Sequence, residues 1–191
     1  MTEPTEAAAP PRAKKSVALS GTPAGNTALC TVGRSGNDLH YRGYDILDLA
    51  TATEFEEIAH LLVHGKLPNA AQLAGYKTKL KALRGLPQAL REVLERIPAS
   101  AHPMDVMRTG CSMLGNLETE ADFSQQHDVA DRLLAAFPSI IAYWWRYAQD
   151  GARIETETDA DSIGAHFLEL LHGQRPSALH EQVMNVSLIL Y

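Results

Sequence analysis

His60 and His64 stand four residues apart in the stretch HLLVH, a spacing that puts two imidazoles on one helix face where they could grip a divalent metal ion. A zinc hydrolase of that pattern needs a glutamate directly after the first histidine, and Leu61 stands there instead. No third ligand is evident, so no metal is expected and the two read as ordinary histidines near a helix end. His102 precedes Pro103 and Asp105 in HPMDVMRTG. Proline suits the first turn of a helix and an acid there opposes the helix dipole, so a helix start is favoured over a catalytic histidine.

The one basic cluster is KTKLKALR, Lys77 to Arg84. Lys77, Lys81 and Arg84 share a helix face by three- and four-residue spacing. A solvated face is the ordinary outcome. The chemical alternative is that Lys79 or Lys81 meets a carboxylate or phosphate of a ligand, which makes Lys79 and Lys81 the candidate substrate-binding residues. The stretch YWWRY, Tyr143 to Tyr147, fits core or subunit-interface packing better than a stacking site. A phosphate-binding loop, a dinucleotide glycine fingerprint and a G-x-S-x-G elbow are all absent from the sequence. From the residues alone, no complete catalytic constellation can be assembled.

The elements that must hold these groups are read from punctuation and periodicity. Residues 1–15 carry Pro, Ala and mixed charge without periodicity and are expected to form a disordered tail. Two β-type runs, Ala28–Val32 and Leu39–Tyr41, flank GRSGND, whose Gly33, Gly36 and Asn37 suit a hairpin turn. From Asp45 onward the pattern is helical. Thr53 and Glu56 fit a capping box ahead of Phe55, Ile58, Ala59, Leu62 and Val63, which recur with helical period. Further helices are predicted over Ala70–Leu83, Gln88–Ile97, Pro103–Gly115, Asp128–Phe137, Ser139–Gln149 and Ile163–Leu171, with Pro138 interrupting or bending the middle pair. GNLETEADFSQQHD reads as an exposed loop and RIETETDADS as an acidic connection. Ser177 caps a last helix that runs to Tyr191. The endings LLVHGKLP and LLHGQRP use one stop signal twice: a histidine at the negative end of the dipole, a glycine cap, and a proline that blocks continuation. The class is all-α with a small N-terminal β-hairpin.

The bulk numbers agree with a packed domain. Apolar residues make up 45% of 191, enough for a real core. A net charge of −6 argues against nucleic acid or an anionic membrane as partner. No apolar run reaches the ~20 residues that span a bilayer, and the acidic, proline-bearing start lacks a secretory pattern. The expected address is the cytoplasm, with Cys30 and Cys111 as reduced thiols packing like small residues.

Three segments then carry a resemblance. GNDLHYRGYDILDLA, FEEIAHLLVHGKLP and HPMDVMRTGCSMLG occur in this order, and together they resemble the citrate synthase family. The lead-in KKSVALSGTPAGNTALCTVG is most similar to the family's propionyl-CoA-using branch. The resemblance covers nearly everything after residue 14. It implies an all-α homodimer that condenses an acyl-CoA with oxaloacetate and needs no further cofactor. It also implies that residues 16–191 are the N-terminal half of the large domain. Family members continue the last helix into an H-E-x-N-A-S stretch whose histidine contacts oxaloacetate, and their catalytic residues lie later still. Catalytic residues are therefore expected after Tyr191, and this chain alone is expected not to turn over. The uncapped last helix, with Val183, Met184, Val186 and Leu190 on its apolar face, is expected to lack part of its packing surface. His60, His64, His102, His172 and His180 fall outside the family's catalytic motifs and inherit no role. Two alternatives stay open: an acetyl-CoA-using enzyme of the same class, and a non-catalytic helical binding protein derived from the fold.

Overall fold

The computed structural model describes residues 25–33 and 38–191. The tail expected over residues 1–15 and the turn residues Gly36 and Asn37 lie outside them. Strands β1 (Cys30–Val32) and β2 (Leu39–Tyr41) pair antiparallel in the expected hairpin, with Thr31 opposite His40. A third short strand, β3 (Tyr44–Asp45), adds to β2. Its Asp45 is also the cap of the first helix, accepting the Leu47 amide at 2.8 Å.

Eight α-helices follow among the described residues: α1 (Ile46–Ala52), α2 (Phe55–His64), α3 (Ala70–Ala82), α4 (Gln88–Leu94), α5 (Pro103–Leu117), α6 (Gln126–Asp150), α7 (Ile163–His172) and α8 (Ala178–Leu190). A 3-10 turn, Phe123–Gln125, leads into α6 across the stretch expected to be a loop. The repeated stop signal works as its chemistry requires. Gly65 and Gly173 both adopt left-handed backbone, with φ of 90° and 71°, and return their amides to Leu61 and Glu169. His102 caps α5 through its ring, accepting the Met104 amide, with Pro103 in the first turn.

Two local readings are corrected. The capping box at the start of α2 is formed by Glu54 and Glu57, not Thr53 and Glu56. Thr53 closes α1 instead, and Glu56 is drawn into the interior to accept the Ile163 amide at 2.6 Å. The helix predicted in two pieces around Pro138 is one helix, α6, with Pro138 inside it. Proline removes one hydrogen bond and costs about 3 kcal/mol in a helix interior. Burial of Ala135, Ala136, Ile140, Tyr143 and Trp144 on both flanks outweighs that cost.

α6 is the axis of the molecule. On one side Leu90 and Leu94 of α4, Val106 and Leu114 of α5, and Ile140, Tyr143 and Trp144 of α6 form the largest core cluster. On another, Ala59, Tyr76, Leu80, Ala135 and Ile163 join α2, α3, α6 and α7. A third cluster sets Ile46, Leu49, Ile58 and Leu61 against Ile189 of α8, beneath Leu39 and Tyr41 of β2. Tyr143 and Trp144 thus pack as expected, while Trp145 reaches the surface. On α8, Met184 and Val186 are half-buried, whereas Leu179, Val183 and Leu190 stand exposed. Cys30 is exposed rather than packed, because β1 shows its side chains to solvent; Cys111 is half-buried.

Candidate functional site

α3 places its three lysines by rotation. Successive lysines are two residues apart, so Lys77 and Lys81 point one way and Lys79 nearly the opposite. Lys77 reaches Asp161 at 2.8 Å and Glu54 at 2.5 Å. Lys81 holds the Asp159 carboxylate at 3.2 Å and its carbonyl at 2.9 Å. Lys79 reaches α6, where it meets Asp128 and Asp131, each at 2.7 Å. Arg84, grouped with them by spacing, is fully buried and donates to the carbonyls of Thr158, Ala160 and Ser162. The cluster therefore ties α3 to α6 and to the acidic connection before α7.

That connection alternates. Glu155, Glu157, Asp159 and Asp161 face outward, while Thr156 is buried and Thr158, Ala160 and Ser162 are half-buried. An extended chain turns successive side chains to opposite sides, so the period of two sorts acids from anchors.

The densest meeting of ionisable groups is at Asp131, which has no exposed surface. Its Oδ1 accepts from the Tyr76 hydroxyl at 2.8 Å and from His64 Nε2 at 3.2 Å, and its Oδ2 from Lys79. Burial, followed by the Asp131 hydrogen bond, pushes the Tyr76 phenol well above its usual range. His60 and His127 lie tilted against His64, with ring centroids 4.8 Å and 5.4 Å away. His60 gives its Nδ1 to the Lys66 carbonyl at 2.8 Å. Every carboxylate oxygen of Asp131 is taken up, so it offers no free base.

A second polar group is walled in between α6 and α7. His166 Nε2 lies 3.1 Å from Ser139 Oγ, and its Nδ1 3.0 Å from Thr158 Oγ1. Ser139 gives its own proton to the Thr156 carbonyl at 3.2 Å. Burial first, and the nearby Arg84 charge second, lower the His166 pKa to about 3. The ring is thus neutral, with Nε2–H donating to Ser139 and Nδ1 accepting from Thr158. A serine whose proton goes to a carbonyl, beside a histidine that donates to it, is not an activated nucleophile. Sequence reasoning missed this group because its members lie 27 and 8 residues apart without a motif.

A cleft of about 600 Å³ lies where the ends of α3 and α5 meet the start of α6. Leu83, Cys111, Leu114, Val129 and Leu133 line it, and Arg132 stands at its rim. The Arg132 fork is spent on Glu118 and on the carbonyls of Leu83 and Gly85. Neither Asp131, nor His166, nor this cleft supplies a free acid–base pair among the described residues.

The family model described as "Citrate synthase, C-terminal domain" matches residues 18–191. The chain belongs to the citrate synthase family. It is 71% identical over 173 residues to the 2-methylcitrate synthase of Shewanella oneidensis, covering 91% of this chain and 46% of that one. It is 31% identical over 177 residues to the citrate synthase of Heyndrickxia coagulans, covering 91% and 47%. The crystal structure of citrate synthase from Thermotoga maritima superposes with a TM-score of 0.77 at 27% identity, covering 90% of this chain and 45% of that one. The chain thus spans about half the length of the citrate synthases it matches, and its helices and small sheet are the fold those enzymes share.

Proposed function

We propose that this chain belongs to an acyltransferase that condenses propionyl-CoA with oxaloacetate and water, yielding 2-methylcitrate and CoA, in propionate breakdown. The carrying observation is the 71% identity with a 2-methylcitrate synthase, against 31% with a citrate synthase. In this reaction a base removes a proton from the α-carbon of the thioester. The resulting carbon nucleophile attacks the ketone of oxaloacetate, whose oxygen takes up a proton. Water then cleaves the thioester and releases CoA as the thiol. A thioester α-proton is weakly acidic, so the developing enolate needs fixed donors around it. No free acid–base pair stands among the described residues, so in this reading the reacting groups lie outside them.

The chain's part is a scaffold of α-helices packed about α6. In the whole protein we propose a homodimer that works in the cytoplasm. Among the described residues no helix is long and apolar enough to cross a membrane. A role for Lys79 and Lys81 in holding a substrate anion takes one form here. The ligand would replace Asp128 and Asp131 at Lys79, or Asp159 at Lys81.

The test is thiol release by the whole protein with oxaloacetate and either propionyl-CoA or acetyl-CoA. Propionyl-CoA is expected to give the higher kcat/KM, by about 10-fold or more, since one methylene in a pocket is worth about 1–3 kcal/mol. A preference for acetyl-CoA would make the enzyme a citrate synthase of the tricarboxylic acid cycle. No release from either would leave the helical binding protein.

A further inference from the structure

α8 is anchored once per turn along a single face. Glu181 accepts the Ser162 hydroxyl at 2.6 Å, Asn185 meets the α1–α2 junction, and the Ile189 carbonyl accepts the Tyr41 hydroxyl at 3.2 Å. Positions four apart on a helix lie above one another, so the three anchors form one line. Each comes from a different element: the cap of α7, the α1–α2 junction, and β2.

The middle anchor is chemically the most demanding. Asn185 Oδ1 accepts the Phe55 amide at 2.7 Å, and Nδ2 donates to the Thr53 carbonyl at 3.3 Å. Phe55 opens α2, and its amide is among those with no partner inside the helix. Thr53 is the residue that closes α1. One side chain 130 residues away thus joins two helix ends to a third helix. Only a group that both donates and accepts can do this. A carboxylate cannot donate, and an apolar side chain can do neither. The opposite face of α8 offers little restraint, since Leu179, Val183 and Leu190 are exposed.

We infer that Asn185 is a positioning residue: it fixes the axial place and rotation of α8 against α1 and α2, and turnover by the whole protein depends on that placement. This rests on the function proposed above. A helix moved by one residue shifts by about 1.5 Å along its axis and turns by about 100°. Misplacement of reacting groups by about 1 Å costs on the order of 100-fold in rate.

The experiment uses the whole protein and follows thiol release at a temperature well below melting. Asn185→Leu keeps the size and removes both bonds, and kcat is expected to fall about 10- to 100-fold while the helical spectrum is retained. Asn185→Asp is expected to lose as much at pH 8 and to recover, relative to the unmodified enzyme, as the pH falls. A protonated carboxyl donates to Thr53 and accepts from Phe55, as the amide does. Asn185→Leu shows no such recovery. Tyr41→Phe, which deletes one bond and keeps the ring, tests the β2 anchor and is expected to lower kcat about 3- to 10-fold, while Asn185→Asp carries the test of Asn185 if the leucine variant does not fold. Folded variants with unchanged kcat, or an aspartate variant whose loss persists in acid, overturn the inference. An unmodified protein without turnover overturns the proposed function together with it.

Discussion

Tyr76 of α3 donates its phenolic proton to Asp131 of α6 at 2.8 Å, beside the ammonium of Lys79 on the same carboxylate. The bond is buried, and together with Lys79 and His64 it lets a fully enclosed acid be tolerated. Asp131 has two more partners when it is lost, so Tyr76→Phe is expected to cost about 2 kcal/mol. Asp131→Ala leaves the buried Tyr76 hydroxyl without its acceptor and Lys79 with Asp128 alone, and is expected to cost about 2–3 kcal/mol. Urea denaturation measures both. A loss below about 0.5 kcal/mol for Asp131→Ala would show that the cluster holds nothing together.

Acid should weaken the fold through His166. Its pKa falls from 6.5 to about 3 on folding, through burial first and Arg84 second. Between those values the unfolded chain binds a proton that the folded chain refuses. Its contribution is therefore full above pH 6.5 and lost as the pH drops toward 3. Lower still, Glu95 adds to the loss. The Arg153 fork, and then the Tyr143 hydroxyl, hold its carboxyl down from 4.5 to about 2, so its contribution fades from pH 4.5 downward. Unfolding free energy followed from pH 7 to pH 4 is expected to slope less in His166→Gln than in the unmodified protein, by up to about one proton. Parallel slopes would contradict the assignment.

The α5–α6 crossing has no room at Gly110. A Cβ there would stand 2.6 Å from Ile140 Cγ2, a methyl in the core. Gly110→Ala is expected to destabilise by about 1–3 kcal/mol despite the better helix propensity of alanine. Paired with Ile140→Ala it should be non-additive, because the smaller residue opens the space. Thermal melting of the two single variants and the double variant gives the coupling directly, and strict additivity would mean that the helices shift apart freely.

Much of the fold is local chemistry and is legible in the residues in order. Asp45 and Ser177 cap their helices, Pro103 opens α5, and Gly65 and Gly173 close α2 and α7, each acting on neighbours within four positions. The hairpin of β1 and β2 is of the same kind. The family, too, is written in three short segments. Other outcomes depend on partners far along the chain. Lys79 has the spacing of a solvated lysine, yet α6 brings Asp131 to it from 52 residues away. Arg84 had the spacing of a surface residue, yet burying it satisfies three carbonyls of the connection before α7. Pro138 signals an interruption or a bend, but α6 runs through it because the packing on its flanks exceeds the one bond it removes. Periodicity and caps are set by bonds between near neighbours, so the order of residues suffices for them. The fate of a charge is set by what desolvates it and what answers it, and only the folded chain brings those groups together.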